Sequence, residues 1–349
     1  MEKIRLGKTN MMVSRLGFGG IPIQRDSEEE AVAIIERCLE LGVTFLDTAN
    51  AYTTSEERIG KAIVGKREGL VIATKTTARD REGVEKHLNL SHKRLGVEYI
   101  DLYQFHNVSD SNALKAILDP DGPMVVVREA KKSGRIRHIG VTSHQIDIAK
   151  EAVKSGHFET IMFPFNFITA EAVDELLPLC KKHDVGFIAM KPLAGGMLEN
   201  VTIAFKYLLQ FPDVLLIPGI EKLHEIDEIA RVLNGPMQLT EMEQREMQRL
   251  KEELGTRFCR RCDYCQPCDV GISISLVMQS GSFLKRLPPE STFSGWIDDA
   301  MEKAAECTQC GNCEERCPFE LPIREMIAKS VHSYGEAKKK YREQVNTTH

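Results

Sequence analysis

Cysteine is scarce over most of this chain: of ten in 349 residues, only Cys38 and Cys180 precede position 250. Aromatic residues reach only 6%, with a single tryptophan, and no apolar run approaches the ~20 residues of a membrane-spanning helix. The first absence argues against a disulfide-stapled body. The missing long apolar run argues against a membrane span, and the N-terminus MEKIRLGKTN has no signal-peptide core, so the expected address is the cytoplasm. Neither sign of charge dominates: 46 basic and 51 acidic residues leave a net charge of -5, which calls for no nucleic acid and no membrane as partner.

What is present is an ordinary soluble composition, 42% hydrophobic and 28% charged, in a chain long enough for a large domain plus an appendage. From residue 14 to about 235, eight β-branched runs alternate with amphipathic segments: SRLGFGG, VTFLDT, LVIATKT, YIDLYQFH, IRHIGVTS, TIMFPFN, VGFIAMK and VLLIPG. Among the intervening segments, SEEEAVAIIERCLELG places Ala31, Ile34, Ile35, Cys38 and Leu39 on a helical spacing, and AEAVDELLPLCKKHD behaves likewise. Cys38 and Cys180 lie on apolar helix faces and read as packing residues. Eight strand–helix repeats predict an α/β chain forming a closed (β/α)8 TIM barrel, although an open doubly wound sheet fits the alternation too. The polar residues tip the choice. Asp47, Lys75, His106, Ser143 and Asn166 stand at or just past the C-terminal ends of strands, where barrel enzymes build their sites.

Asp47, Lys75 and His106 close consecutive strands, and Tyr52 follows Asp47 in the loop. A lysine inside an apolar strand is costly to bury without a carboxylate, and Asp47 is the available partner. A tyrosine hydroxyl, with a pKa near ~10, becomes a usable proton donor when an ammonium stabilises its phenolate. Tyr52 is thereby the candidate general acid, and His106 the candidate that orients a carbonyl oxygen. Taken singly, each has a plain structural reading; together on one barrel face they point to catalysis.

LGVTFLDTANAYTTSEERIGKAI resembles the signature of the aldo-keto reductases, and KTN with VSRLGFGG, VIATKT, YIDLYQFH, IRHIGVTSH, MKPLAGG and VLLIPG resemble that family's strands in order, over roughly residues 3 to 235. The resemblance implies a (β/α)8 barrel in which NADPH or NADH passes hydride to an aldehyde or ketone. It implies that Tyr52 is the proton donor, Lys75 and Asp47 its tuning pair, and His106 the carbonyl orienter. Ser143 and His144 fall where the family holds the nicotinamide carboxamide, and the PLAGG glycines Gly195 and Gly196, with Gly219, where backbone amides approach the pyrophosphate; Pro192 and Leu193 of the same segment are cofactor-binding candidates with them. Met162 stands where many members have glutamine, and Met190 where many stack a tyrosine on the nicotinamide. Gly219 and Glu225 occupy positions often basic in NADPH users, leaving Lys222 as the nearby cation, so the choice between the two cofactors stays open.

The remaining eight cysteines crowd into FCRRCDYCQPCDVG and CTQCGNCEERCP. Zinc sites typically take pairs of C-x2-C, whereas three closely spaced thiolates plus a distant fourth match iron–sulfur ligation. Two [4Fe-4S] clusters are the expectation, held by Cys259, Cys262, Cys265, Cys268, Cys307, Cys310, Cys313 and Cys317; zinc, or one cluster plus a structural site, is the minor alternative. By analogy with bacterial two-cluster ferredoxins, Cys317 joins the first three and Cys268 joins Cys307, Cys310 and Cys313. The first motif departs from that pattern in its last spacing and in having Asp269 where proline is usual. The whole resembles a branch of the aldo-keto reductases with a C-terminal ferredoxin-like module.

The expected organisation is a barrel over 1–237, a connecting helix over 238–255, a small, mainly helical ferredoxin-like iron-sulfur domain over 256–330 and a polar tail over 331–349 read as a solvated helix end or frayed. The expected function is NAD(P)H-linked reduction of a small carbonyl substrate, or oxidation of the alcohol, with the clusters serving a redox protein partner. A silent cofactor-binding sensor or scaffold, and clusters acting only as structural staples, are the competing readings.

Overall fold

The computed structural model describes residues 1–347, which divide into two compact units, Met1–Met247 and a second beginning at Gln248. In the first unit a hairpin of β1 (Lys3–Arg5) and β2 (Met12–Ser14) precedes eight parallel strands. These are β3 (Phe18–Gly19), β4 (Phe45–Asp47), β5 (Val71–Thr76), β6 (Ile100–Phe105), β7 (Ile136–Thr142), β8 (Thr160–Pro164), β9 (Gly186–Met190) and β10 (Val214–Ile217). They neighbour one another in chain order, and parallel bridges Leu16↔Leu216 and Gly19↔Gly219 join the two ends. The sheet is therefore a closed barrel.

Helices α1 (Glu28–Glu40), α2 (Ser55–Ala62), α3 (Arg81–Leu95), α4 (Ser111–Leu118) with α5 (Met124–Lys132), α6 (Ile146–Lys154), α7 (Leu176–His183), α8 (Val201–Leu208) and α9 (Leu223–Leu233) follow the strands in turn. The first illustrates why. Ser27 Oγ accepts from the Glu30 N–H while Glu30 accepts from the Ser27 N–H, a capping box, and Ala31, Ile34, Ile35 and Cys38 form the buried stripe. Burial pushes the Cys38 and Cys180 thiols up to about 12, as inert packing groups require. Inside the barrel, Phe45, Ala73, Leu102, Met162, Ile188, Leu215 and Ile217 form one apolar cluster with Ile4, Leu6 and Val13 of the hairpin. The hairpin, which the sequence pattern did not predict, thus packs its apolar residues into the barrel core.

Helix α10 (Glu241–Gly255) is capped by Thr240 and Glu243 as its TxxE start predicts, and the division between units falls within it. The second unit holds α11 (Ile274–Val277), α12 (Ser280–Arg286), α13 (Pro289–Thr292), α14 (Gly295–Ala304), α15 (Asn312–Glu315) and α16 (Ile323–Thr347). Its core is Ile272, Ile274, Val277, Ile297, Met301, Leu321, Ile323, Ile327 and Tyr334, with most of the cysteines packed against it. The stretch expected to be a polar tail is helical through Thr347, and is fastened rather than frayed over its first part: Tyr334 donates to Thr292 O at 2.7 Å, Lys338 pairs with Asp298 at 2.5 Å, and Tyr341 stacks on Phe293. Thr348 and His349, the end of that stretch, lie outside the described residues.

Candidate functional site

Strand β4 delivers Asp47 and β5 delivers Lys75 into the barrel interior, where both are almost wholly buried. Lys75 Nζ lies 2.5 Å from Asp47 Oδ2 and donates to Thr48 O at 2.7 Å. The same ammonium lies 5.0 Å from the centre of the Tyr52 ring, and Tyr52 meets His106 edge-on at 5.6 Å between ring centres. The four sequence candidates are therefore gathered in one place, with Tyr52 and His106 half-buried above the buried pair. Burial works against both charges of that pair. For Lys75 the attraction of Asp47 and of the Tyr52 oxygen outweighs it and raises the ammonium pKa, while burial raises Asp47 against the opposing pull of Lys75 and Gln104.

The Tyr52 loop is held from two sides. Ser55 Oγ donates to Gly20 O at 2.7 Å, and Arg94 of α3 donates to Asn50 O at 3.1 Å and to the fully buried Glu56 at 3.3 Å. Glu56 also accepts from Thr74 Oγ1 at 2.7 Å. Gln104, Glu56 and Arg94 escaped the sequence reading. A signal for Gln104 was available: it stands two residues before His106, on the same side of an alternating strand.

The cofactor candidates fare differently. Ser143 is at the end of β7, but its hydroxyl donates to Val108 O at 2.7 Å and accepts from Gln145 N at 3.0 Å. Asn166 is likewise engaged by Lys191 O, Ile168 N and Thr169 N. His144 Nδ1 lies 3.1 Å from Asn107 Oδ1. Met190 packs against the barrel cluster, half-buried, and Met162 is a buried member of it. Lys191, Ala194, Gly195 and Gly196 all take positive φ, so the PLAGG segment, with Pro192 and Leu193, is a tight turn. Gly219 has a steric reason of its own, since a Cβ there would lie 2.7 Å from Pro22 Cγ. Lys222 Nζ lies 3.5 Å from Asp26 Oδ1, and Glu225 Oε2 accepts from the Glu221 and Lys222 N–H groups at 2.6 and 3.0 Å. The Glu225 carboxylate thus caps its own helix.

In the second unit the eight clustered cysteines line two hollows. One is lined by Cys259, Cys262, Cys265 and Cys317, the other by Cys268, Cys307, Cys310 and Cys313, and Ile274 borders both. Each hollow draws three thiols from one motif and one from the other. Among the described residues no three His, Cys, Asp or Glu side chains close on one point as the ligands of a single metal ion do; the four cysteines of each set instead line a hollow. Burial pushes the Cys259 and Cys265 thiols up to about 11 and about 12, and raises Cys262 and Cys313. Thiols so placed give up their protons when a multiply charged cationic group neutralises them, and a four-thiol hollow fits an iron–sulfur cluster. Asp269 lines the second hollow and accepts from Asn312 Nδ2 at 2.7 Å. Among the described residues no helix is long and apolar enough to cross a membrane.

Residues 15–202 match the model of the aldo/keto reductase family, and residues 258–322 match that of a 4Fe-4S dicluster domain. The chain is 30% identical to the uncharacterised oxidoreductase YqkF of Bacillus subtilis over 214 residues, 57% of this chain and 67% of that one. It is 28% identical to the NADH-specific methylglyoxal reductase of Escherichia coli over 238 residues, 60% of this chain and 72% of the other. Among solved structures, the holo form of an aldo-keto reductase from Bacillus halodurans aligns with a TM-score of 0.62 at 26% identity, covering 72% of this chain and 96% of that one.

Proposed function

The chain belongs to the aldo/keto reductase family, and from that premise we propose that its barrel reduces a small aldehyde or ketone with NADH or NADPH, or runs the reverse oxidation. One observation carries the reading: a buried Lys75–Asp47 pair lies beneath Tyr52, with His106 edge-on to that ring. When bound, the nicotinamide supplies the hydride that attacks the carbonyl carbon. Tyr52 gives its phenolic proton to the carbonyl oxygen as negative charge gathers there. The Lys75 ammonium stabilises the phenolate left behind, and Asp47 keeps that ammonium protonated inside an apolar wall. His106 donates to the same oxygen and fixes the direction from which the carbonyl is approached. Cofactor contacts are proposed for Ser143, His144, Met190 and the 192–196 turn through backbone or apolar surface more than through free side-chain polar groups, because the Ser143 hydroxyl is already engaged.

In the second unit the two sets of four cysteines are proposed to hold one [4Fe-4S] cluster each. When bound, such clusters supply transfer of single electrons, which suits a redox protein partner. A cytoplasmic location agrees with reduced thiols. The test of the barrel reading is anaerobic assay of the full-length holoprotein with aldehydes and either nicotinamide: turnover lost in Tyr52→Phe supports it, turnover unchanged by that substitution overturns Tyr52 as the acid, and no turnover in the wild type favours a silent cofactor-binding sensor.

A further inference from the structure

Gln104 lies inside the barrel with no surface exposed. Its Cα is in register with Lys75 on one side and Gly140 on the other, and its Nε2 donates to Asp47 Oδ1 at 3.2 Å. The other oxygen of Asp47 is taken by Lys75 at 2.5 Å. One carboxylate from β4 thus receives a donor from each of the next two strands.

The amide is there at a cost. Gln104 Oε1 is buried and makes no hydrogen bond among the described residues, whereas an apolar side chain of similar shape would fill the space without an orphaned acceptor. Room for the side chain is also purchased from the backbone, since a Cβ at Gly140 would stand 2.9 Å from Gln104 Cγ and closer still to Thr160 Oγ1. The orientation is dictated. Turned over, the amide would set its carbonyl oxygen against a carboxylate oxygen, so Nε2 faces Asp47 as long as Asp47 is ionised.

We propose that Gln104 is a positioning residue for the reaction: by occupying Asp47 Oδ1 it keeps Oδ2 turned on Lys75, and through that ammonium it holds the Tyr52 hydroxyl ready to give its proton. The inference rests on the reductase reading above. The charged and titratable groups around Asp47 are Lys75 from β5, with Tyr52 beside that ammonium and His106 edge-on to Tyr52; Gln104 from β6 is the neutral donor. Removing a donor from this set raises the proton affinity of Asp47 and makes the potential at Tyr52 more negative.

The test uses full-length holoprotein carrying Gln104→Met, assayed for carbonyl reduction across pH. The expected result is a roughly tenfold fall in kcat, an unchanged KM for the nicotinamide, and an acid limb moved to higher pH. Gln104→Asn, whose amide is too short to reach, shifts the limb in the same direction if the methionine variant fails to fold. In an Asp47→Asn background the same Gln104 substitution should cost nothing further. An acid limb unmoved in a folded Gln104 variant, or the same loss with Asn at 47, overturns the proposal. If the wild type reduces no carbonyl, it is the reductase reading that falls. Gln104 is then judged by the tyrosinate absorbance titration of Tyr52, read as the difference between protein with and without Tyr52→Phe: its midpoint rises in Gln104→Met if Asp47 and Lys75 are positioned as stated, and stays put otherwise.

Discussion

Cys268 lines the same hollow as Cys307, Cys310 and Cys313, not the hollow of the three cysteines that precede it. The arrangement is a crossover, in which neither motif completes a set alone. Exchange of Cys268→Ser should therefore extinguish the same electron-spin signal as Cys310→Ser, and Cys317→Ser the same one as Cys262→Ser. Iron and sulfide analysis alongside the spectra checks it; a Cys268 variant that resembles Cys262→Ser contradicts it.

Ile274 borders both hollows and is buried in the core of the second unit. Truncation there removes a shared wall. Ile274→Ala should cost about 2–5 kcal/mol in the unfolding of that unit, and iron should be lost from both sets together. Loss confined to one spectroscopic centre would show that the wall is not shared.

Glu159 supplies a pH dependence separate from the site. Although burial raises its pKa, hydrogen bonds from His138, Lys131 and the Ile139 N–H hold the carboxyl down to about 2 from an ordinary 4.5. A depressed carboxyl contributes stability that is whole above its unfolded value and drains away as pH falls through the folded one. The window is therefore from about 4.5 down to about 2. At neutral pH the contribution is on the order of 3 kcal/mol. Glu159→Gln should lower the unfolding midpoint at neutral pH, and the gap to the wild type should close on acidification. A gap that stays constant through that window would discard the assignment.

Lys222 is drawn toward Asp26, at 3.5 Å, and its side chain is 55% exposed. If the NADPH phosphate is recognised here, Asp26→Asn frees the lysine for it. Affinity for NADPH should rise severalfold while that for NADH holds still, as fluorescence titration would read. Equal change in both dissociation constants would place the phosphate elsewhere.

Much of the barrel was legible because most of its strands are dense in Val, Ile and Phe and five of them carry a polar residue, Asp47, Lys75, His106, Ser143 or Asn166, at or just past the same end. The first strand is short for a readable reason: Gly17, Gly19 and Gly20 offer no side chain, and a Cβ on Gly19 would lie 2.7 Å from Pro218 O. The hairpin was not legible, since Lys3–Arg5 and Met12–Ser14 are too short to show a period. Also not legible was where Ser143, Asn166 and Glu225 direct their polar atoms, each of them to backbone groups. Such local hydrogen bonds depend on loop shape, which spacing does not encode. Gln104 was passed over for the opposite reason, a polar residue lost within an apolar run.

Ile4, Leu6 and Val13 sit in the same cluster as the strand residues at the heart of the barrel. The leading hairpin thus adds its apolar side chains to the barrel core, while Asp47, Lys75, Tyr52 and His106 gather where strands β4 to β6 end. If the proposed reductase reading holds, a nicotinamide and a carbonyl share that one face, and the one seated deeper should enter first and leave last, an order that product-inhibition kinetics would read.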